Sequence, residues 1–435
     1  MEENLNDSSR EKEEERQSVK NIKWPFKAKL LIAILIFIII TLAVIILLIT
    51  LIDSDDDKEN GGKKNNENDR YQKAGYIETW NDLFGIVKPN LSYVKSDVII
   101  NSFKKGGENY NETIGNVNEG NDYPKNDRNY YTLYVPYSSK NNKDKFNGIF
   151  LYIHGGSWTH GFKEDIEFLC SRYAKMGYIT ATMGYTVLSG DYEQYNIYRI
   201  LDEITAAINS IIEELEDMGF DRNKLELAIG GISAGAHISL LYGYMIKNSP
   251  LPIKFLINIV GPLSLEPEFW YKPAEYNNTL ENIEPSTVEN AISEGKIVKI
   301  FSDTVLVGLM NGFLGKIFSE EEVEKMIVNN TIDKDNPKYQ EMFQKVKNSF
   351  PIKFVNNETL PTLCEYAGND TLVGVAQYRF LKEYSEKNGN QLDLVYMRFA
   401  NHDLISYDTE DGIKAMRDIH YQILSYAQKY FTHEK

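Results

Sequence analysis

The segment Lys224-Leu-Glu-Leu-Ala-Ile-Gly230 runs straight into Gly231-Ile-Ser-Ala-Gly235, and a largely apolar stretch continues to Ile246. The first part reads as a buried strand and Ala234 to Ile246 as a helix, while the five residues at the junction fit G-x-S-x-G. A serine on so sharp a strand-to-helix turn has its hydroxyl exposed at a helix N-terminus. The flanking glycines remove side chains that would clash where the backbone doubles back. Ser233 is therefore the candidate nucleophile, and the amide of Ala234 a candidate donor to an anionic oxygen.

Upstream, Gly148 to Ile153 is a short apolar run, as a buried parallel strand should be. His154-Gly155-Gly156-Ser157-Trp158 follows it directly. A tetrahedral oxyanion needs N–H donors aimed at its oxygen, and glycines let the backbone come close to a substrate. Gly155 and Gly156, with Ala234, are the expected donors. His154 is read as a structural histidine bonded to backbone. Trp158 and Ile232, beside these motifs, are expected to flank the substrate pocket.

Around these two motifs the chain alternates strand and helix. Tyr130 to Tyr137 and Tyr178 to Tyr185 are strand-like, and Lys163 to Met176 reads as a helix. Asn196 to Glu216 carries Ile197, Ile200, Leu201, Ile204, Ile208, Ile211, Ile212 and Leu215 on one stripe, which predicts an amphipathic helix. Strands are expected at Ile253 to Val260, Thr362 to Ala367 and Leu392 to Phe399, with helices at Gly374 to Lys387 and Gly412 to Tyr430. This alternation predicts an α/β class with a mostly parallel sheet and helices on both faces. Residues 263–348 break the rhythm with aromatics and helical pieces. An insertion there is expected to cap the strand ends where ligands bind; its apolar face is equally consistent with ordinary packing against the main domain.

A nucleophilic serine needs a base, and the chain has six histidines. His237 lies four residues beyond Ser233 and should point away from it, His420 is inside a helix, and His433 is at the tail. His402 follows the strand ending at Phe399 and precedes the final helix, which suits a base on a loop. The acid should follow the preceding strand, and Gly368-Asn369-Asp370 stands there. Asp370 would hold the tautomer of His402. Glu365 is mid-strand, and Asp403 adjoins the histidine and would point elsewhere.

The order Ser233, Asp370, His402 is that of α/β-hydrolases, and residues from about 130 to 430 resemble their esterases and lipases. His154-Gly-Gly-Ser-Trp-Thr-His-Gly-Phe-Lys163 resembles the H-G-G-x-W-x-x-G-x-K signature of acetylxylan/feruloyl-esterase-like and prenylcysteine-methylesterase-like families. Gly231-Ile-Ser-Ala-Gly-Ala-His237, Ser349 to Val355 and Tyr366 to Val373 resemble other segments of the same families. Tyr366 stands where these families often have His, and Ser157 replaces the third glycine of the lipase motif. The resemblance implies an α/β-hydrolase fold and hydrolysis of a carboxylic ester, with no metal or organic cofactor. An amide or peptide hydrolase on the same three residues is the alternative, and a non-catalytic adhesion module a more distant one.

The N-terminal part carries a different message. Leu30 to Ile52 has no charged residue and only Thr41 and Thr50 as polar interruptions. At the helical rise it spans a bilayer. The run exceeds a secretory apolar region and follows a charged segment of 29 residues, which favours an uncleaved signal-anchor. Lys20, Lys23, Lys27 and Lys29 precede it, while Asp53, Asp55, Asp56 and Asp57 follow. The positive-inside rule then predicts a single-pass type II protein, with residue 53 onward lumenal or extracellular. Residues 1–29 read as a cytoplasmic disordered tail, with a solvated helix as the alternative. Residues 53–75 read as a flexible linker and 76–435 as the hydrolase domain. N-x-S/T triplets begin at Asn90, Asn111, Asn277, Asn329, Asn357 and Asn369, which fits a glycoprotein.

The net charge is −16 over 435 residues. Such a chain repels phosphate backbones, which argues against a nucleic-acid partner. The expected partners are a small-molecule ester, with lipid among the candidates, and the membrane through one helix. Cys170 and Cys364, the only two cysteines, are expected as buried thiols, with a single bridge the alternative.

Overall fold

The computed structural model describes residues 93–99, 128–136, 139, 142–143, 148–188, 196–273, 294, 296–356, 358–388, 392–397, 400–402 and 410–432. The predicted tail, membrane span and linker lie outside these residues. Among the described residues, no helix is long and apolar enough to cross a membrane.

An eight-stranded sheet runs through the domain. Its strands are β1 (Tyr93–Ile99), β2 (Tyr130–Pro136), β3 (Ile149–Ile153), β4 (Ile179–Met183), β5 (Leu227–Ile232), β6 (Ile253–Ile259), β11 (Thr362–Ala367) and β12 (Leu392–Met397). Their spatial order is β1-β2-β4-β3-β5-β6-β11-β12. The first two pairings, β1 with β2 and β2 with β4, are antiparallel. Every later neighbour is parallel. This is the mostly parallel sheet that the sequence rhythm predicts. All five residues of β3 and all six of β11 are buried, as strands covered on both faces must be.

Helices α1 (Glu167–Lys175) and α8 (Glu410–Tyr430) cover one face. Leu169, Cys170 and Tyr173 of α1 join Ile419, Ile423, Leu424 and Ala427 of α8 in a core against Phe150, Phe255 and Leu363. Helices α2 (Ile197–Asp217), α3 (Ala234–Met245) and α7 (Ala376–Asn388) are the other long helices that flank the sheet strands in sequence. The predicted stripe of α2 is buried along its whole length, from Ile197 to Leu215. Asn196 caps the helix by accepting from the Arg199 amide at 2.8 Å, a cap of the kind that stabilises by about 1 kcal/mol. Inside α2, Arg199 and Glu203 form a fully buried ion pair at 3.0 Å. Glu203 also accepts from the backbone N–H of Thr186, which ties the chain after β4 to the helix.

Between β6 and β11 the chain builds β7 (Tyr271–Pro273), β8 (Ile297–Lys299), α4 (Asp303–Phe313), α5 (Glu320–Lys325), β9 (Ile327–Val328), β10 (Thr331–Ile332) and α6 (Pro337–Val346). Among the described residues, all but α5 group as one compact unit. Ser302 caps α4 and Asn336 caps α6. Asn329 and Asn330, both at positive φ (51° and 62°), make the tight turn between β9 and β10.

Three sequence expectations need correcting. The segment 163–176 is not one helix: a 3-10 turn at Lys163–Ile166 precedes α1, because Asp165 reaches back to the Phe162 amide at 2.8 Å. Strand β1 was not expected, since its Lys, Ser and Asp hide the period of an outer antiparallel strand. The two-stranded ladders β7–β8 and β9–β10 are too short to leave a period in the sequence.

Candidate active site

The junction of β5 and α3 is the sharp turn its sequence requires. Ser233 has φ 56° and ψ −124°, a strained conformation for a residue with a side chain. Its amide donates to the carbonyl of Ile259 at 2.9 Å, which pins the turn to the neighbouring strand. A Cβ on Gly235 would stand 2.0 Å from the Ile153 carbonyl oxygen, and one on Gly231 2.5 Å from the Gly235 backbone. Glycine is therefore required for this approach. Ala234 opens α3, so its amide is one of the four N–H groups that an α-helix leaves without an internal acceptor.

The segment after β3 wraps against this turn. A Cβ placed on Gly155 would lie 3.0 Å from the Ile232 carbonyl oxygen and 3.2 Å from Cβ of Ser233, so a side chain here would crowd the serine turn. Gly156, Ser157 and Trp158 follow in succession at φ 110°, 51° and 61°. The Gly156 carbonyl accepts from the amides of both Thr159 and His160 at 3.0 Å, closing a tight loop. His154 is buried, stacks on Tyr185 at 4.3 Å, and its Nδ1 lies 2.7 Å from the Gly155 carbonyl. Burial pulls its pKa down to about 3, so it stays neutral.

Asp370 and His402 follow the C-terminal ends of β11 and β12, two strands that pair residue for residue. His402 Nδ1 lies 2.8 Å from Asp370 Oδ2. The other carboxylate oxygen accepts from the amides of Leu372 and Val373, each at 2.8 Å. Asp370 is 2% exposed. The Asn369 amide donates to the Ala400 carbonyl at 3.0 Å, which holds the loop of the acid against the loop of the histidine. Tyr366 donates to the Gly261 carbonyl at 2.8 Å and accepts from Asn258 at 2.9 Å, so it crosslinks β11 to the end of β6. In the sheet order, Ser233, Asp370 and His402 thus stand at the same ends of β5, β11 and β12, with β6 between the serine and the other two.

Trp158, expected to flank the pocket, is buried and hydrogen-bonded. It is 1% exposed, and its indole N–H donates to Nδ1 of His237 at 3.2 Å. This bond ties the segment after β3 to α3. Ile232 is half-buried and packs against the core on the α1/α8 face. His237 turns to the interior, where its Nε2 meets the Ser349 carbonyl at 2.9 Å. This arrangement was not legible in sequence, because its partners are 79 and 112 residues distant. Glu365 is another surprise: it is fully buried, neither carboxyl oxygen has a hydrogen-bond partner, and burial drives its pKa well above the usual carboxylate range. Among the described residues, no group of three His, Cys, Asp or Glu is arranged to hold a metal ion.

A parallel-sheet hydrolase scaffold with a serine elbow defines the class, and comparison with known proteins gives the family. The model of the BD-FAE family matches residues 133–384, more than half of the chain. The chain belongs to the BD-FAE family of α/β-hydrolase serine esterases and is a carboxylic-ester hydrolase. Among solved structures, esterase B of Lactobacillus rhamnosis is similar, with 13% identity and a TM-score of 0.47 over 83% of this chain and 97% of that one. An esterase of Pyrobaculum calidifontis matches with 15% identity and a TM-score of 0.46, over 83% and 93% of the two chains. A bacterial heroin esterase matches with 15% identity and a TM-score of 0.45, over 81% and 90%. No curated protein matches the chain.

Proposed function

We propose that Ser233, His402 and Asp370 form a catalytic triad that hydrolyses carboxylic esters through an acyl-enzyme. The observation that carries this reading is the His402–Asp370 bond at 2.8 Å, held beside strands that also carry a serine at φ 56°. With Asp370 accepting at Nδ1, the imidazole presents the lone pair of Nε2. Ser233 Oγ attacks the ester carbonyl carbon as its proton passes to Nε2. The carbonyl π electrons move to oxygen, and the amides of Ala234, Gly155 and Gly156 stabilise the charge. Collapse breaks the bond to the alkoxide, which leaves with the proton from Nε2. Water then repeats the sequence on the acyl-enzyme, releasing the acid and restoring Ser233.

The segment between β6 and β11 serves as a cap in this reading. Its helix α4 sets Phe313 against Trp158 at 5.0 Å, directly behind the oxyanion segment. Leu30 to Ile52 anchors the enzyme as a single-pass type II protein, with the hydrolase domain outside the cytoplasm.

The direct test is labelling by a fluorophosphonate probe. The wild-type protein is expected to label and Ser233→Ala to lose both label and turnover. A folded protein that never labels, or a Ser233→Ala variant that still turns over, overturns the triad. Turnover of p-nitrophenyl acetate against matched anilides separates ester from amide preference.

A further inference from the structure

His237 sits one helical turn beyond Ser233, and its own amide donates to the Ser233 carbonyl at 3.2 Å. The catalytic steps above give this buried ring no part. Its environment is nevertheless specific. An indole N–H can only donate, so the 3.2 Å contact from Trp158 requires Nδ1 to be without a proton. The proton then resides on Nε2, which donates to the Ser349 carbonyl at 2.9 Å. One acceptor and one donor, each matched, fix both the tautomer and the orientation of the ring. The ring also meets Trp158 edge-on at 5.2 Å and Phe313 of α4 at 5.5 Å.

The residue it holds is the last of three in succession at positive φ, Gly156, Ser157 and Trp158. Two of these are not glycine, so the conformation persists only where surrounding contacts over-determine it. The Trp158 carbonyl is fixed by the Leu188 amide at 2.7 Å. Its side chain is fixed by His237. Gly155, immediately upstream of these three, faces the serine: a Cβ built on it would lie 3.2 Å from Cβ of Ser233.

We propose that His237 is a positioning residue for the oxyanion segment: through Trp158 it sets the Gly155–Gly156 amides relative to Ser233. The inference rests on the triad reading. It goes further by naming what holds the donors in register with the nucleophile. The same residue is tied by backbone to Ser233 and by side chain to Trp158, so donors and nucleophile share one reference point. Phe313 makes the cap helix a third party to that reference.

His237→Phe keeps a ring against Trp158 and Phe313 but removes both hydrogen bonds. Displaced oxyanion donors act on the transition state alone, so kcat is expected to fall about 10- to 100-fold while KM moves less than about twofold. Active-site titration is expected to return an undiminished fraction of working enzyme. Affinity for a trifluoromethyl ketone, which forms the tetrahedral adduct, is expected to fall in proportion to kcat/KM. Trp158→Phe removes the same bond from its other end, so the double variant is expected to be no worse than the poorer single variant. His237→Gln, whose amide carries both a donor and an acceptor, is expected to recover much of the loss. A fall confined to the active fraction, a change in KM alone, or fully multiplicative single effects overturns the proposal. Should His237→Phe not fold, Trp158→Phe retains the Ser349 bond and reads the same quantities. Failure of the triad itself is seen separately, as a wild-type protein that does not label.

Discussion

At the scale of single residues, the site contrasts carboxyl groups in two environments. Asp370 accepts from His402 and from two backbone amides, which is what a carboxylate needs to be held in place. Asp370→Asn keeps the shape but favours the wrong imidazole tautomer. It is expected to lower kcat by about 10³–10⁴-fold with the fold intact, as steady-state kinetics beside circular dichroism will show. Glu365, by contrast, is enclosed without a partner and held neutral. Its folded pKa is raised, so its proton costs nothing below the unfolded value near 4.5. The cost grows as pH rises above that value, because the unfolded chain gives up the proton and the folded chain keeps it. Glu365→Gln is therefore expected to raise Tm at pH 7 by about 3 °C or more, with the gain vanishing at pH 4. A gain that persists unchanged at pH 4 counts against a neutral Glu365. His154 and His237 carry the opposite sign. Both fall to about 3 when folded, so their stabilisation is full above the unfolded value near 6.5 and is lost as pH drops toward 3.

At the scale of elements, legibility follows periodicity. β11 carries the same limits in sequence and structure, Thr362 to Ala367, because a buried apolar run between turns leaves little freedom. The α2 stripe is equally plain, since eight apolar residues recur at helical spacing. β1 was missed because its polar residues obscure the pattern. The Asn329-Asn330 turn does carry a signal, two consecutive residues that tolerate positive φ, but its flanking strands have only two residues each. At the site, G-x-S-x-G and the glycines after β3 are local patterns and can be read locally. The Trp158–His237–Ser349 chain joins three distant segments, and no local pattern announces it. Within α2, removal of Glu203 takes away the buried carboxylate that pairs with Arg199 at 3.0 Å and accepts from the Thr186 amide. Glu203→Ala is expected to cost about 3–5 kcal/mol in urea unfolding, far more than a surface pair.

At the scale of the whole molecule, an anchor at Leu30 to Ile52 would divide the chain between two compartments. If Leu30 to Ile52 spans the membrane, the protein is expected to stay in the pellet after alkaline carbonate extraction. Its C-terminal domain is expected to resist protease added to sealed microsomes, and cleavage of that domain in intact vesicles counts against the orientation. Glycan placement belongs to the same scale. Asn369 is half-buried beside Asp370, and its backbone N–H donates to the Ala400 carbonyl, which holds this loop against that of His402. Peptide mass spectrometry of active enzyme is expected to find it bare, and a glycan there counts against Asp370 as the acid.

The two cysteines carry a consequence for how the protein is made. Both are unbridged and buried. Cys170 points from α1 into the core, while the Cys364 sulfur lies beside Asn258 at 3.8 Å, and the Cys364 thiol is pushed up to about 12 by burial. Neither is a ready thiolate, so neither offers a handle to oxidants or alkylating reagents while the domain stays folded. Assembly therefore imposes no redox requirement: residues 76–435 should mature equally well in a reducing bacterial cytosol and in an oxidising secretory lumen. The core itself is indifferent to the choice of production host.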